Sequence, residues 1–415
     1  MKLKKIWHQT RMLFLGISLF LVSPIWAQMD SLLFMNDKKI HEEDTRKLCF
    51  GIDNLNFIKN NENKGCFTKG YTLPGLWLLP KLTYQPLKNL KVEAGLYMLR
   101  YWGSDTYPNF NYSDIANWKG ENYQHGFHAI PFFRVQYALA PHFDIIMGHI
   151  YGRNDHQLIE PLYNPEMGLT ADPEAGLQFL WRTRPADIDM WVNWESFIFQ
   201  NDNHQESFTY GLSTRFKIND PKTKVHAYIP LQALFQHRGG EINSNAPDKS
   251  VKTWLNAAAG FGMDFHFNNR YFKKLNFKAD AVYFGQQKGN LIPFDKGYGL
   301  HGRLSADIFR FRVIAGYWQC HNFATIFGNP LFGAISTYDK NIQYKDPQML
   351  YLRLEYAQRI AKGFYWGIHT DLYNNLPANA YNTTDGWHEE PNALSFHAGI
   401  YLRMNMNILI KKFGK

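Results

Sequence analysis

Cysteine is nearly missing: Cys49, Cys66 and Cys320 are the only three in 415 residues. Three thiols make no disulfide framework, and without a CxxC pair they make no structural zinc site. In an exported chain Cys49 can still pair with Cys66. Past residue 28 no apolar run reaches the roughly eighteen residues that a helical membrane span needs. A large excess of one charge is missing too. Of 45 basic and 36 acidic side chains, Lys2, Lys4, Lys5 and Arg11 sit in an N-terminal segment that holds no acid. Without those four, 41 basic residues face 36 acidic ones, and nothing in that balance points to nucleic acid.

The N-terminal segment has its own logic. A basic start is followed by an apolar run from Met12 to Val22 and by Ala27 ahead of Gln28. This is the pattern of an export signal over residues 1–27, cut after Ala27. No cysteine follows the cut, so no lipoprotein anchor is expected there. Residues 28–47 are charged and aperiodic, and they read as a mobile periplasmic lead-in too short to plug anything.

Aromatic residues are plentiful, at 16%, although mean hydropathy is a mildly polar −0.40. That pairing fits strands of which only every second residue meets lipid, and it also fits a large secreted all-β domain. The patterning favours the first. Leu394, Phe396, Ala398, Ile400, Leu402, Met404 and Met406 alternate with Ser395, His397, Gly399, Tyr401, Arg403 and Asn405. Such a stretch is one strand with an oily face and a wet face, long enough to cross a bilayer at a tilt. Ser207–Ile218 alternates equally strictly.

Sixteen such stretches run from a ragged Leu48–Ile58 to Leu394–Met406. Short connections near residues 86, 140, 185, 220, 269, 309 and 362 interleave with long ones near 64, 115, 164, 203, 245, 291, 335 and 383. The reading is an all-β chain over residues 48–415, a closed antiparallel barrel of about sixteen strands. Fourteen or eighteen follow if one hairpin is miscounted. Closure obliges the last strand to pair with the first.

The chain resembles the outer-membrane β-barrel proteins of diderm bacteria, porin-like ones in particular, over residues 48 to about 410. The resemblance rests on architecture, as in Ser207–Ile218 and Leu394–Met406, and it implies a location in the bacterial outer membrane. Its end departs from the usual closing aromatic: Phe413 is followed by Gly414 and Lys415. Implied partners are outer-membrane lipid, small polar solutes and the barrel-assembly machinery, with a homotrimer as one assembly and no nucleic acid.

If the apolar alternates face lipid, the lumen receives Lys81, Lys91, Glu93, Arg134, Arg182, Arg215, Lys217, Asp264, Lys278, Asp280, Arg303, Asp307, Arg353, Glu355, His369, Asp371, His397 and Arg403. Both charge signs across a water-filled channel order water and steer polar solutes. The expectation is therefore a passive diffusion channel, not an enzyme, with no cofactor and no metal. Phe323–Tyr344 is the candidate constriction. One alternative is a lipid-modifying barrel hydrolase, with Ser395 and His397 on the last strand beside His369 and Asp371 on the one before. Another is a surface-binding scaffold, in which Tyr107, Phe110, Tyr112, Trp118, Tyr381 and Trp387 could stack on sugars. His125 with His128, His149 with His156, and His237 with Glu241 lack the short paired spacing of a metal site.

Overall fold

The computed structural model describes residues 29–103, 127–197, 204–240, 250–339 and 341–414. The export signal, Tyr107, Phe110, Tyr112, Trp118, His125 and Glu241 lie outside the described residues.

Sixteen strands close into one antiparallel barrel, the count expected from the alternation. The first eight are β1 (Lys47–Glu62), β2 (Tyr71–Leu87), β3 (Leu90–Tyr101), β4 (His128–Ala140), β5 (Phe143–His149), β6 (Ala175–Arg182), β7 (Ala186–Ser196) and β8 (Ser207–Lys217). The wall continues through β9 (Val225–Arg238), β10 (Lys252–His266), β11 (Phe272–Lys288), β12 (Lys296–Ile308) and β13 (Phe311–His321). After the short β14 (Ile342–Lys345) it resumes with β15 (Gln348–Ala361) and β16 (Phe364–Asn375). Two more short strands, β17 (Ala378–Asn382) and β18 (Gly386–Glu390), precede the closing β19 (Ala393–Lys412). The three short strands form a separate sheet, ordered β14–β17–β18. β19 pairs with β1 from Lys47↔Lys412 to Glu62↔Phe396, so no edge is left open to lipid.

The two faces of β19 show what the alternation is for. Ile400 and Leu402 are 59% and 44% exposed on the outside, while Tyr401 and Arg403 between them are 2% exposed. β1 looked ragged in sequence because it carries apolar residues on the inside: Leu55 and Phe57 point inward and are buried. Asn54 and Asn56 then fall on the outer face. Their amides are satisfied locally, Asn56 Nδ2 donating to Asn54 Oδ1 at 2.6 Å and Asn54 Nδ2 to the Trp77 carbonyl at 2.6 Å. Prolines leave their mark on β2, where the pairing to β3 skips from Leu78↔Met98 to Lys81↔Gly95 across Pro80.

Glycines and aromatics on the inner wall belong together. Trp191 lies opposite Gly211, Tyr228 opposite Gly262, and Tyr351 opposite Gly316. A Cβ on any of these glycines would stand 2.1–2.2 Å from the ring across the strand. Each ring therefore lies flat on the backbone that the glycine bares, a packing that fills the interior close to the wall.

That interior is occupied. Residues 29–38, expected to be mobile, pack inside the barrel at the end that carries the short turns, and His41–Glu43 lead out of it exposed. Leu33 is fully buried, Asn36 bonds to Asp155 through its backbone N–H (3.0 Å) and side-chain amide (2.6 Å), and Arg403 Nη1 donates to the Met35 carbonyl at 2.8 Å. The correction has a physical reason: buried carboxylates inside the barrel supply partners that the isolated segment lacks. From the opposite end two long connections, β5–β6 and β13–β14, turn inward and meet. Asn164 N–H donates to the Phe327 carbonyl at 2.8 Å and Asn329 N–H to the Glu160 carbonyl at 3.1 Å. Leu162, Phe323, Phe332 and Ala334 are wholly buried in this double plug. The cysteines are free thiols, so Cys49 and Cys66 are unpaired.

Candidate functional site

Two surfaces of the barrel carry chemistry, the lumen and the outer rim, and the lumen comes first. Most charged residues of the inner wall are in pairs, many of them closed by groups from the plugs. Arg353 donates to Asp371 (2.6 Å), to Tyr373 Oη (2.8 Å) and to Glu160 (3.1 Å), and Glu160 also takes bonds from Tyr373 Oη and Asn329. Glu93 holds Lys81 (2.6 Å) and Arg134 (3.0 Å), and Arg403 makes two parallel bonds to Asp53.

Most of the remaining inner charges are held in the same way. Arg182 pairs with Asp144, Lys217 with Asp187, Lys278 with Asp280, and Arg312 with Asp307. Asp264 holds Lys274 and Asn276, Lys91 bonds to Tyr151 Oη, and Arg215 lies 4.1 Å over the Tyr228 ring. Two inner charges are exceptions: Glu355 is buried and Arg303 half-buried, and Glu355 Oε2 and Arg303 Nε are shielded from solvent without a hydrogen-bond partner among the described residues. Deepest of all, His156 in the β5–β6 plug stacks on Trp191 at 3.4 Å and bonds to Asp189 (3.0 Å) and Glu174 (3.1 Å). Burial opposes charge on this ring, but the carboxylates of Asp189 and Glu174 outweigh it and push the pKa up to about 9. Such a ring is a locked imidazolium, not a base. The cavities left in this half are small, about 180 Å³ beside Lys39, Lys91 and Glu93 and about 70 Å³ beside Trp77, Phe132 and Arg153.

The structure does not assemble a nucleophile from Ser395, His397, His369 and Asp371. The strands are neighbours, with Asp371 opposite His397. Yet His397 Nε2 faces Asn63 Oδ1 at 2.8 Å, Ser395 Oγ accepts from Lys64 N–H at 3.0 Å, and Asp371 is committed to Arg353 and His369. Ser395 is also 0% exposed, out of reach of any lipid.

On the outer rim, at the end of the long connections, two histidines face outward. His237 on β9 puts Nε2 3.1 Å from the Gly239 carbonyl and Nδ1 3.0 Å from Thr253 Oγ1. The carbonyl only accepts, so in the neutral ring Nε2 carries the proton and Nδ1 receives the Thr253 hydroxyl. Thr253 itself is 4% exposed and shielded. The second histidine is open. Outward positions of β13 read Phe311, Val313, Ala315, Tyr317, Gln319 and His321, oily below and polar above. His321 Nδ1 lies 2.6 Å from Asp346 Oδ1, and both side chains stay more than two-fifths exposed. Its Nε2 has no partner among the described residues.

Beside this pair Tyr317 Oη stands 3.0 Å from Oε1 of both Gln319 and Gln348. The hydroxyl has one proton to donate, to one of the two amides, and the other amide can meet the tyrosine oxygen only through its own N–H. Tyr298 packs 5.3 Å from the imidazole, and below lie Leu300, Leu350 and Leu352, all exposed to lipid. Asn322 and Asp346, at the chain turns flanking the pair, both adopt left-handed backbone (φ 48° and 50°), a conformation Asn and Asp tolerate best among residues with a side chain. Sequence reading missed His321 and Asp346, which lie 25 residues apart at the two ends of a loop. The signal was the polar continuation Tyr317, Gln319, His321 on an otherwise oily face.

The family model described as "Lipid A 3'-O-deacylase-type" matches residues 40–413. It overturns the expectation that the barrel is not an enzyme, because the family is one of deacylases. No curated protein sequence matches the chain. Among solved structures, OccK8 (OprE) of Pseudomonas aeruginosa is 9% identical with a TM-score of 0.47, covering 88% of this chain and 99% of that one. The loop L8 deletion mutant of OmpT from Vibrio cholerae is 10% identical with a TM-score of 0.46, covering 85% and 98%. At these values the likeness says nothing about function.

Proposed function

The chain belongs to the lipid A 3'-O-deacylase-type family, and from that premise we propose that this bacterial outer-membrane barrel hydrolyses an ester-linked acyl chain of a lipid A-type glycolipid, using His321 and Asp346. The observation that carries this assignment is the outward-facing imidazole–carboxylate pair at the level where the oily wall gives way to a polar rim. Glycolipid esters lie at that same boundary between acyl chain and headgroup.

The chemistry needs little more. Asp346 accepts the Nδ1 proton and so leaves Nε2 as the basic nitrogen. Nε2 takes a proton from a water molecule while the hydroxide attacks the ester carbonyl carbon. An amide N–H of Gln319 or Gln348 is the proposed donor for the oxyanion that forms. As the C–O bond to the sugar breaks, the imidazolium returns its proton to the sugar oxygen, leaving a fatty acid and a sugar hydroxyl. A porin-like channel is the weaker reading, because most lumen charges are paired and three chain segments enter the mid-section.

The test is lipid A mass spectrometry on cells producing the protein or its variants. His321→Ala should lower deacylation about 10²–10⁴-fold, the range for loss of a general base. Asp346→Asn should also lower it, because the ring loses its tautomer, while His237→Ala should not. Full activity in His321→Ala would sink the assignment.

A further inference from the structure

The sheet β14–β17–β18 stands on the side of the long connections and has two unlike faces. Ile342, Tyr344, Ala378 and Ala380 are buried beneath it. Its other face is ordered by register into two rows, Gln343–Tyr381–Trp387 and Lys345–Asn379–Glu389. Trp387 is 64% exposed and Tyr381 36%, with ring centres 5.4 Å apart and planes inclined at 55°. Nothing in the fold of the sheet requires a tryptophan there, since its packing side is already filled by other residues. A large exposed aromatic pair rimmed by polar groups marks a binding surface.

We propose that this face is a saccharide-binding shelf that holds the sugar headgroup of the substrate, an inference that rests on the esterase reading. The C–H face of a pyranose is apolar and stacks on an aromatic ring, while its edge needs donors and acceptors. Here the rings form one row, and an amide, an ammonium and a carboxylate form the next. Two rings inclined to each other cradle a bent sugar pair, whereas a peptide strand would want a flat, open edge. Position selects the occupant further. Lys345 ends β14 and the next residue is Asp346, so the polar row of the shelf runs directly into the proposed catalytic pair. A glycolipid lying there would rest its sugars on the shelf and its acyl chains on the outward leucines of β12 and β15. An acyl chain alone, or a protein partner, would have no use for the Lys345–Asn379–Glu389 row in that place.

The probe is the acyl-free saccharide released from lipopolysaccharide by complete deacylation, titrated calorimetrically into the full-length protein in detergent micelles. Wild type should bind it, and Trp387→Ala and Tyr381→Ala should each weaken binding about tenfold or more, near 1.4 kcal/mol. Trp387→Phe should keep most of it. The alanine variants should raise KM for the glycolipid about as much with kcat within about twofold, the sign of lost uniform binding, and should cleave a short sugar-free nitrophenyl ester at the wild-type rate. No binding by wild type, or equal binding by Trp387→Ala, overturns the shelf. The two readings fail separately. Saccharide binding lost in Trp387→Ala, with glycolipid hydrolysis intact in His321→Ala, removes the catalytic assignment and keeps the shelf. Hydrolysis lost in His321→Ala, with saccharide binding indifferent to Trp387, does the reverse.

Discussion

Arg403→Ala should be among the most damaging single changes in the barrel, by a route that can be worked from the contacts. The Arg403 guanidinium is 2% exposed and Asp53, across the closing seam, 5%. Two parallel bonds join them, at 3.0 and 2.8 Å, and the same guanidinium holds Met35 O at 2.8 Å and Asn36 Oδ1 at 3.1 Å. Truncation strands a buried carboxylate, which costs about 3–5 kcal/mol. The two bonds to the N-terminal segment add about 1 kcal/mol each when lost. The expected total is therefore about 5–7 kcal/mol. Replacing both charges, as in Arg403→Met with Asp53→Leu, removes the stranded charge and should cost about 2 kcal/mol or less, the share of the N-terminal bonds. Urea titration of the micelle-folded protein, followed by tryptophan fluorescence and by the electrophoretic shift of folded barrels, measures both variants. Trypsin should also cut after Lys38 and Lys39 faster in the single variant, because its loss frees the segment they belong to. A single variant within 1 kcal/mol of wild type, or a double variant as unstable as the single, would refute the reasoning.

Three further outcomes follow from the same contacts. His156 is protonated in the fold up to about pH 9 but only to about 6.5 when unfolded, so its stabilisation is complete below pH 6.5 and fades as pH rises to 9. The full effect is about 3 kcal/mol, and urea midpoints should fall over that window in wild type and much less in His156→Gln. Gly316→Ala would set a methyl 2.1 Å from the Tyr351 ring; the forced ring movement should cost about 1–3 kcal/mol in the same titration, whereas Gly302→Ala, with open space around it, should cost little. In planar lipid bilayers the wild-type barrel should carry no steady current, and a stable conductance of porin size would show that the plugs leave a path.

What the sequence made legible was whatever depends on a two-residue period. Ser207–Ile218 and Leu394–Met406 announced both faces of their strands, and the sorted turn lengths gave the count and the closure of β19 on β1. Where the period was blurred the reason is now physical: β1 turns Leu55 and Phe57 into an apolar interior patch and satisfies Asn54 and Asn56 on the outside. The plugs were illegible because their ties span the chain. Glu160 reaches Arg353, 193 residues away, and Asn36 reaches Asp155, 119 away. No local pattern encodes such partners. The inward charges were on the page, but whether water or another side chain would face them depended on those distant segments. His321 and Asp346 were hidden for the same reason, since only the folded ends of the β13–β14 connection bring them together.

A filled lumen changes what a large barrel is for. An interior in which Arg353, Glu93, Arg403 and His156 each already hold their partners leaves few free charges to steer a solute. Those contacts instead brace the wall from within, and a braced wall can hold outward side chains in fixed relation. The proposed hydrolysis of a membrane ester would use this arrangement: an imidazole, its carboxylate and an amide fixed at one depth, facing a substrate that diffuses past in the leaflet. Water must reach the same spot, and the half-exposed rim admits it where the lumen would not. The acyl chains then pack on exposed Leu300, Leu350 and Leu352, which lose no solvation in doing so because they already face lipid. On the proposed reading, binding selectivity would accordingly come from the headgroup, and the aromatic sheet next to Asp346 would bear on substrate choice more than the barrel interior does.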